Sequence, residues 1–365
     1  MTAGLRLVPP PIQITDAPFP DWSHLVRLSD DTGLLEHARN AIVRREHGYC
    51  VDDVSRGLLV ACRERRPSGQ VVALAERYLA FLTHAQGPDG GFRNRMSYDR
   101  RWLDEPSAGD WWGRALWGLG TAAGRSPVPW IRREARLAFD LGVRLRSEWP
   151  RAMAFAGLGA AEVLRTDPRA RDAAGLLADA ATAVGRPGPD PAWVWPQREL
   201  TYANPALAEV AIAAGDLLGD EPQLEAGLRM LGWLCSMQEN EGHLSTVPVG
   251  GWRSDLIGHS EPRHRFDQQP IEAAATADAC ATASAVTGDD VWDAPLVQSI
   301  AWFLGDNDTR TVMHDPLTGG CYDGLTANGP NLNQGAESTL ALVSTLQHAR
   351  RLATRSATRP SGGLA

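Results

Sequence analysis

The 365-residue chain contains no lysine; its 36 arginines are its only strongly basic side chains. That absence excludes a Schiff-base nucleophile, a pyridoxal-phosphate anchor and a phosphate-loop lysine, each of which needs a primary amine. Cys–x–x–Cys pairs are also missing, and the five cysteines (Cys50, Cys62, Cys235, Cys280, Cys321) are dispersed. An odd, scattered set suits reduced thiols rather than a disulfide frame. No apolar run reaches the roughly 20 residues that a membrane-spanning helix needs. The start, MTAGLRLVPPPIQ, lacks the charged-then-apolar layout of a secretory leader, so a cytoplasmic location is expected. A formal charge of −8 argues against nucleic acid or an anionic membrane surface as partner. Stretches alternating apolar and polar residues at period two are scarce, which removes a large sheet from consideration.

What the chain does have is helical periodicity. Apolar residues make up 43% of it, enough for a sizeable core, and they recur at helical spacing in long Ala/Leu/Arg/Glu segments. Start and stop signals predict twelve helices, near 31–45, 51–64, 68–86, 110–123, 128–148, 151–165, 168–185, 203–215, 221–238, 269–286, 291–304 and 334–353. Residues 1–30 read as an extended segment packing along the body, 31–353 as one domain and 354–365 as a disordered tail.

Two regularities give this count a shape. Connections after even-numbered helices are short (RRPSG, GRSPVP, RTDP, TGDD), whereas several before them are long, roughly 87–109, 186–202, 240–268 and 305–333. Even helices are rich in small residues (WGLGTAAG, FAGLGAAEVL, EAAATADACATASA), and odd ones carry Arg and Glu on one face (WIRREARLAFDLGVRLRSE). Small residues allow close helix approach, so the even helices suit an inner ring and the odd ones an outer ring. An all-α (α/α)6 toroid follows, with long loops crowding the end where inner helices begin. The segments HAQGPDGGF, CSMQENEGH and HDPLTGGCYDG, each after an odd helix, support an internal repeat. An open α-solenoid is the competing architecture, but it does not require one-sided loops.

Polar and aromatic residues gather at the inner helix starts. These are Tyr49, Asp52, Asp53 and Arg56; Trp102, Asp104, Glu105, Asp110, Trp111, Trp112 and Arg114; Trp193, Trp195, Glu199, Tyr202 and Asn204; His264, Arg265, Asp267, Gln268, Gln269 and Glu272; and Tyr322, Asp323, Asn333, Gln334 and Glu337. Each has a plainer reading. Asp110 and Asp323 could cap helices, Glu337 could complement a helix dipole, Asp52 or Asp53 could bridge to Arg56 along one helix, and tryptophans are usually core. His264 has no partner at metal-ligand spacing, so neither metal nor cofactor is expected. Taken together, carboxylates, amides and Arg match sugar hydroxyls, and Trp and Tyr faces match sugar C–H faces. A carbohydrate is therefore the expected ligand, and cleavage of a glycosidic bond would need two carboxylates flanking it.

The layout and the QGPDGGF, GDWWGRALWGL and GGCYDG segments resemble the six-hairpin glycosidase superfamily. CVDDVSRG, RFDQQPIEA and NLNQGAEST resemble, more narrowly, a bacterial domain of carbohydrate gene clusters that is sometimes fused to glycosyltransferases, which implies an association with such enzymes. The resemblance implies a glycoside hydrolase acting on an oligosaccharide or polysaccharide by carboxylate acid/base catalysis, with inversion. Its matching acids are Asp52, Asp53, Asp110, Asp267 and Glu337. Asp53 and Asp267 are the expected acid–base pair, with Glu337 and Asp110 in reserve. Arg56, Arg265, Gln268, Gln269, Asn333 and Gln334 would grip hydroxyls, Trp111 and Tyr322 would stack, and Asp52, Trp112, Tyr202, His264 and Asp323 would complete the substrate shell. Relatives on this barrel include phosphorylases, uronyl hydrolases and sugar epimerases, the last leaning on histidine bases. A sugar epimerase of the N-acylglucosamine 2-epimerase type and a non-catalytic carbohydrate-binding module are the alternatives. QGPDGGF also resembles the repeats of triterpene cyclases, but their D-x-D-D acid is absent.

Overall fold

The computed structural model describes residues 17–254 and 264–358. Most of the expected N-terminal segment (1–16), the end of the expected tail (359–365) and His259 lie outside the described residues. The described residues contain twelve α-helices: α1 (Ser23–Leu28), α2 (Val51–Arg63), α3 (Gly69–Ala85), α4 (Asp110–Arg125), α5 (Pro129–Gly142), α6 (Pro150–Leu164), α7 (Arg171–Val184), α8 (Asn204–Leu218), α9 (Glu221–Gln238), α10 (Pro270–Thr287), α11 (Asp293–Phe303) and α12 (Ala336–Thr358). Local chemistry sets their ends. The Ser68 and Asp220 side chains accept backbone N–H groups at the starts of α3 and α9. Proline opens α5 and α6, and Gly219 and Gly288 close α8 and α10 in the left-handed region.

Helices α2, α4, α6, α8, α10 and α12 pack side by side in that order, and α12 packs back on α2. The ring is closed, which excludes the open solenoid. The other helices lie outside it, and α3, α5, α7, α9 and α11 each pack against an inner helix next to them in sequence. Close approach in the inner ring depends on glycine: a Cβ on Gly159 of α6 would sit 2.2 Å from the Leu116 carbonyl oxygen of α4. The short connections lie at the C-terminal ends of the inner helices. The long ones cover the opposite, open end, where pairs of two- and three-residue strands stitch them together. Tyr49–Cys50 pairs with Arg95–Met96, and Glu199–Leu200 with Trp252–Arg253.

The start of the chain differs from the sequence reading. Residues 31–45 are not a helix. The Asp30 side chain accepts the Thr32 and Gly33 N–H groups in a turn, and Asn40 at φ +50° reverses the chain so that Ala38–Arg39 pairs with Ile42–Val43. The sixth outer position falls instead to the six-residue α1, within the segment expected to be extended, and α1 packs on α12. Helix α12 continues to Thr358, five residues into the expected tail. Among the described residues no helix is long and apolar enough to cross a membrane.

Candidate active site

The open end holds a cavity of about 320 Å³ whose wall draws on five stretches of chain: Glu36 and His37; Cys50, Asp52, Asp53 and Arg56 at the start of α2; Arg95 in the α3–α4 loop; Gln269 at the start of α10; and Asp323 and Glu337 around the start of α12. Arg56 organises it. Its Nη1 donates to Asp53 Oδ1 at 2.6 Å, and its Nη2 lies 2.8 Å from Glu337 Oε2. One guanidinium thus ties the first turn of α2 to the first turn of α12 across the ring closure. Glu36 pairs with Arg95, which is presented by Asp104, whose carboxylate accepts the N–H groups of Asn94 and Arg95.

Burial separates the carboxylates chemically. Asp53 is 3% exposed, and its pKa is pushed up to about 8 by desolvation, with Glu337, Glu36 and Asp52 adding to the push against the pull of Arg56. Glu337 keeps 37% of its side chain exposed. Glu272, one turn into α10, is 2% exposed and pushed up to about 7, again by burial first and with Glu337 contributing. One Glu272 oxygen accepts the Ala203 N–H, while the other is buried without a partner. Between these acids lies Arg114, 6% exposed and stacked 3.7 Å from the Phe155 ring centre. Burial and the nearby Arg56 push Arg114 down to about 9, and its Nη2 also lacks an acceptor. Beyond it, the Tyr202 hydroxyl donates to Asp110, and Arg151 lies over the Tyr202 ring at 4.9 Å. Desolvation raises the pKa of Asp110.

Several residues expected at the site are placed elsewhere. Asp267 is exposed on the loop before α10 and is not in the cavity wall. Trp112 is fully buried and donates its indole N–H to the Gly142 carbonyl at 3.3 Å, so it is core between α4 and α5 and not a sugar platform. Gln268 is likewise internal: its amide donates to Asp308 and Ser245 and accepts from Trp302. Gln334 donates to Asp315 and accepts from Thr318, and Asn333 accepts the Asn40 N–H. These amides hold loops together because a buried loop must satisfy its polar groups somewhere. His264 and Arg265 are exposed outside the cavity wall, and Arg265 reaches toward Asp308 at 3.4 Å. Trp111 is half-buried with its N–H on the Phe92 carbonyl, and Tyr322 packs partly against the core. Asp323 does line the cavity, while accepting from the Gly335 N–H and the Ser338 hydroxyl.

Glu36, His37 and Arg95 went unseen in the sequence, the first two because their segment read as an outer helix. Glu272 and Arg114 were legible among the charges at the inner helix starts, but only the fold shows that both are buried and perturbed. Glu36, Cys50 and Asp53 bring one ligand atom each within 4.8 Å of one another. However, Glu36 already pairs with Arg95, Asp53 is bonded to Arg56 and pushed up by burial, and burial pushes the Cys50 thiol well above its ordinary range. The trio therefore reads as a hydrogen-bonded acid cluster rather than a metal centre.

No family model and no curated protein sequence matches the chain. Solved structures do. Cellobiose 2-epimerase from Spirochaeta thermophila superposes with a TM-score of 0.67 at 13% identity, covering 91% of this chain and 93% of the epimerase. A metagenome-derived family 9 endoglucanase gives 0.57 at 13% identity, covering 87% and 70%. The family 76 α-mannanase of Bacteroides thetaiotaomicron gives 0.56 at 11%, covering 84% and 88%. The chain therefore shares with these structures the fold of an (α/α)6 toroid.

Proposed function

We propose that the open end binds a carbohydrate and cleaves a glycosidic bond, with Asp53 as proton donor and Glu337 as the carboxylate that activates water. The observation carrying this reading is the Asp53–Arg56–Glu337 constellation: two carboxylates on one guanidinium, one buried and holding a proton near neutral pH, the other open to the cavity. A carboxyl kept protonated by burial beside a second one open to the cavity suits an acid/base division of labour. Asp267, expected from its motif to partner Asp53, yields that role to Glu337 because it stands outside the cavity wall. Asp52, Gln269 and Asp323, in the cavity wall, would bond to sugar hydroxyls, and Tyr202, 41% exposed beside Asp110, would offer a ring face.

The second reading is epimerisation or isomerisation. In its favour, the superposition spans 93% of the cellobiose 2-epimerase against 70% of the endoglucanase. Against it, among the described residues His37 is the only histidine in the cavity wall. An oligosaccharide panel assayed with wild type, Asp53→Asn and Glu337→Gln separates the two. Hydrolysis with kcat falling at least roughly 100-fold in each variant is expected. Full activity in both variants removes the assigned roles, and deuterium wash-in at a sugar C2 without cleavage replaces hydrolysis by epimerisation.

A further inference from the structure

We propose that the closed end of the toroid carries a second ligand site, for the dianionic phosphate group of a small molecule, anchored by Arg351. A cavity of about 380 Å³ opens there, among the C-terminal ends of the inner helices and opposite the acidic site. It is large enough for a phosphate group with a small organic body.

The charges in its wall do not balance. Glu162 is shared by Arg125, through two bonds of 2.6 and 2.7 Å, and by Arg165 at 3.2 Å. Asp278 takes Arg63 at 2.7 Å and His348 at 2.5 Å. Arg355 is neutralised by Asp293. Four guanidiniums (Arg63, Arg125, Arg165 and Arg351) thus face two firmly ionised carboxylates. Burial alone would raise both, but Arg125 and Arg165 hold Glu162 below its ordinary range, and Arg63 and His348 hold Asp278 well below. The third acid, Glu209, is raised to about 7 by burial and by Asp278, so near neutral pH it adds only about half a charge.

Arg351 is where the excess concentrates. Among the described residues it pairs with no carboxylate, and its hydrogen bond to the Arg63 carbonyl is a long one, 3.5 Å. It sits seven residues before the end of α12, so it does not cap its own helix. The Nε of Arg63, a residue 7% exposed, is also buried without an acceptor. Helix C-termini carry partial negative charge and explain why Arg125 and Arg165 gather here. That weak field does not satisfy an unpaired cation crowded by other cations, and desolvation together with Arg63 and Arg125 pushes Arg351 down to about 10. An oxyanion between Arg351 and Arg63 would accept both free donors at once.

The test uses the full chain and three probes: sodium phosphate, sodium pyrophosphate, and sodium chloride at matched ionic strength. Calorimetry and melting temperature are read for wild type, Arg351→Gln, and Arg133→Gln, an exposed arginine on α5. Saturable binding and stabilisation by phosphate or pyrophosphate, absent with chloride, are expected for wild type and Arg133→Gln. In Arg351→Gln the affinity should fall by about tenfold or more, the loss of one charge-assisted contact, with no drop in melting temperature in chloride alone. A response that chloride reproduces, or one that Arg351→Gln retains, overturns the site. Because the probes are read as binding and stability, failure here leaves the glycosidase reading standing, and the reverse also holds.

Discussion

Gln268 and Glu272 are four residues apart at the start of α10, yet their polar atoms have opposite fates. Gln268 gives its amide protons to Ser245 and Asp308 and accepts the Trp302 indole N–H at 2.9 Å. It therefore helps hold Asp308, which burial alone would raise but which His243, Ser245 and Gln268 keep well below the usual carboxylate range. Removing that amide leaves a buried carboxylate and a buried indole short of partners, each costing about 1–3 kcal/mol. Gln268→Ala should lower unfolding free energy by about 2–4 kcal/mol in urea titration while leaving the KM of the folded fraction unchanged. A raised KM at unchanged stability would instead place Gln268 in contact with substrate. Sequence alone could not separate the two outcomes, because an amide beside a helix start looks the same whether it grips a sugar or a neighbouring loop.

Among whole elements, the inner ring is set by close backbone contacts. Glycine in a helix ordinarily costs about 0.5–1 kcal/mol relative to alanine. Gly232 on α9 should follow that rule, since the nearest atom to an added Cβ is Trp292 at 3.8 Å. At Gly159 the sign reverses: the added carbon would sit 2.2 Å from the Leu116 carbonyl oxygen, in rigid backbone that cannot yield without moving α4 from α6. Gly232→Ala is expected to raise the melting temperature slightly, and Gly159→Ala to cost about 1–3 kcal/mol or more. Equal responses would mean that the ring is looser than these distances imply. The small-residue faces that make this packing possible are a property of each helix alone, which is why α2 to α12 and their inner and outer roles were legible in the sequence. Residues 31–45 were misread because their helical spacing competes with an Asp30 turn and with Asn40 reversing the chain. The loop amides of Asn333 and Gln334 depend on Asn40, Asp315 and Thr318, and Asn40 lies almost three hundred residues away. No local pattern encodes such pairings. The acids on α2, α4 and α12 were legible as a set; Glu36 and Arg95, held by tertiary contacts, were not.

Taken as one molecule, the toroid buries carboxylates at both ends of its hollow, and its stability must record their protonation. Asp53, pushed to about 8, and Glu272, pushed to about 7, bind protons in the folded state that the unfolded chain releases near pH 4. Between those limits the folded state binds more protons, so each group makes stability fall as pH rises, and the loss is complete only above the folded pKa. Asp278 and Asp308 have depressed values, so their stabilising contribution is already full above about pH 4. Burial lowers the pKa of His24 and His348, which therefore contribute rising stability with pH, but only up to the unfolded histidine value near 6.5. From about pH 6.5 to 8 the histidines fall silent, and the raised carboxylates Asp53, Glu272 and Glu209 dominate the slope. Melting temperature should decline across that window at constant ionic strength. Asp53→Asn, which cannot ionise, should flatten the decline and lie above wild type at about pH 8, even though the amide weakens the contact with Arg56. A wild-type melting temperature that is level across the window, or an equal slope in Asp53→Asn, would mean that Asp53 enters the folded toroid already ionised. It would then have no proton to give a leaving group at neutral pH, and the donor would have to be sought at Glu272.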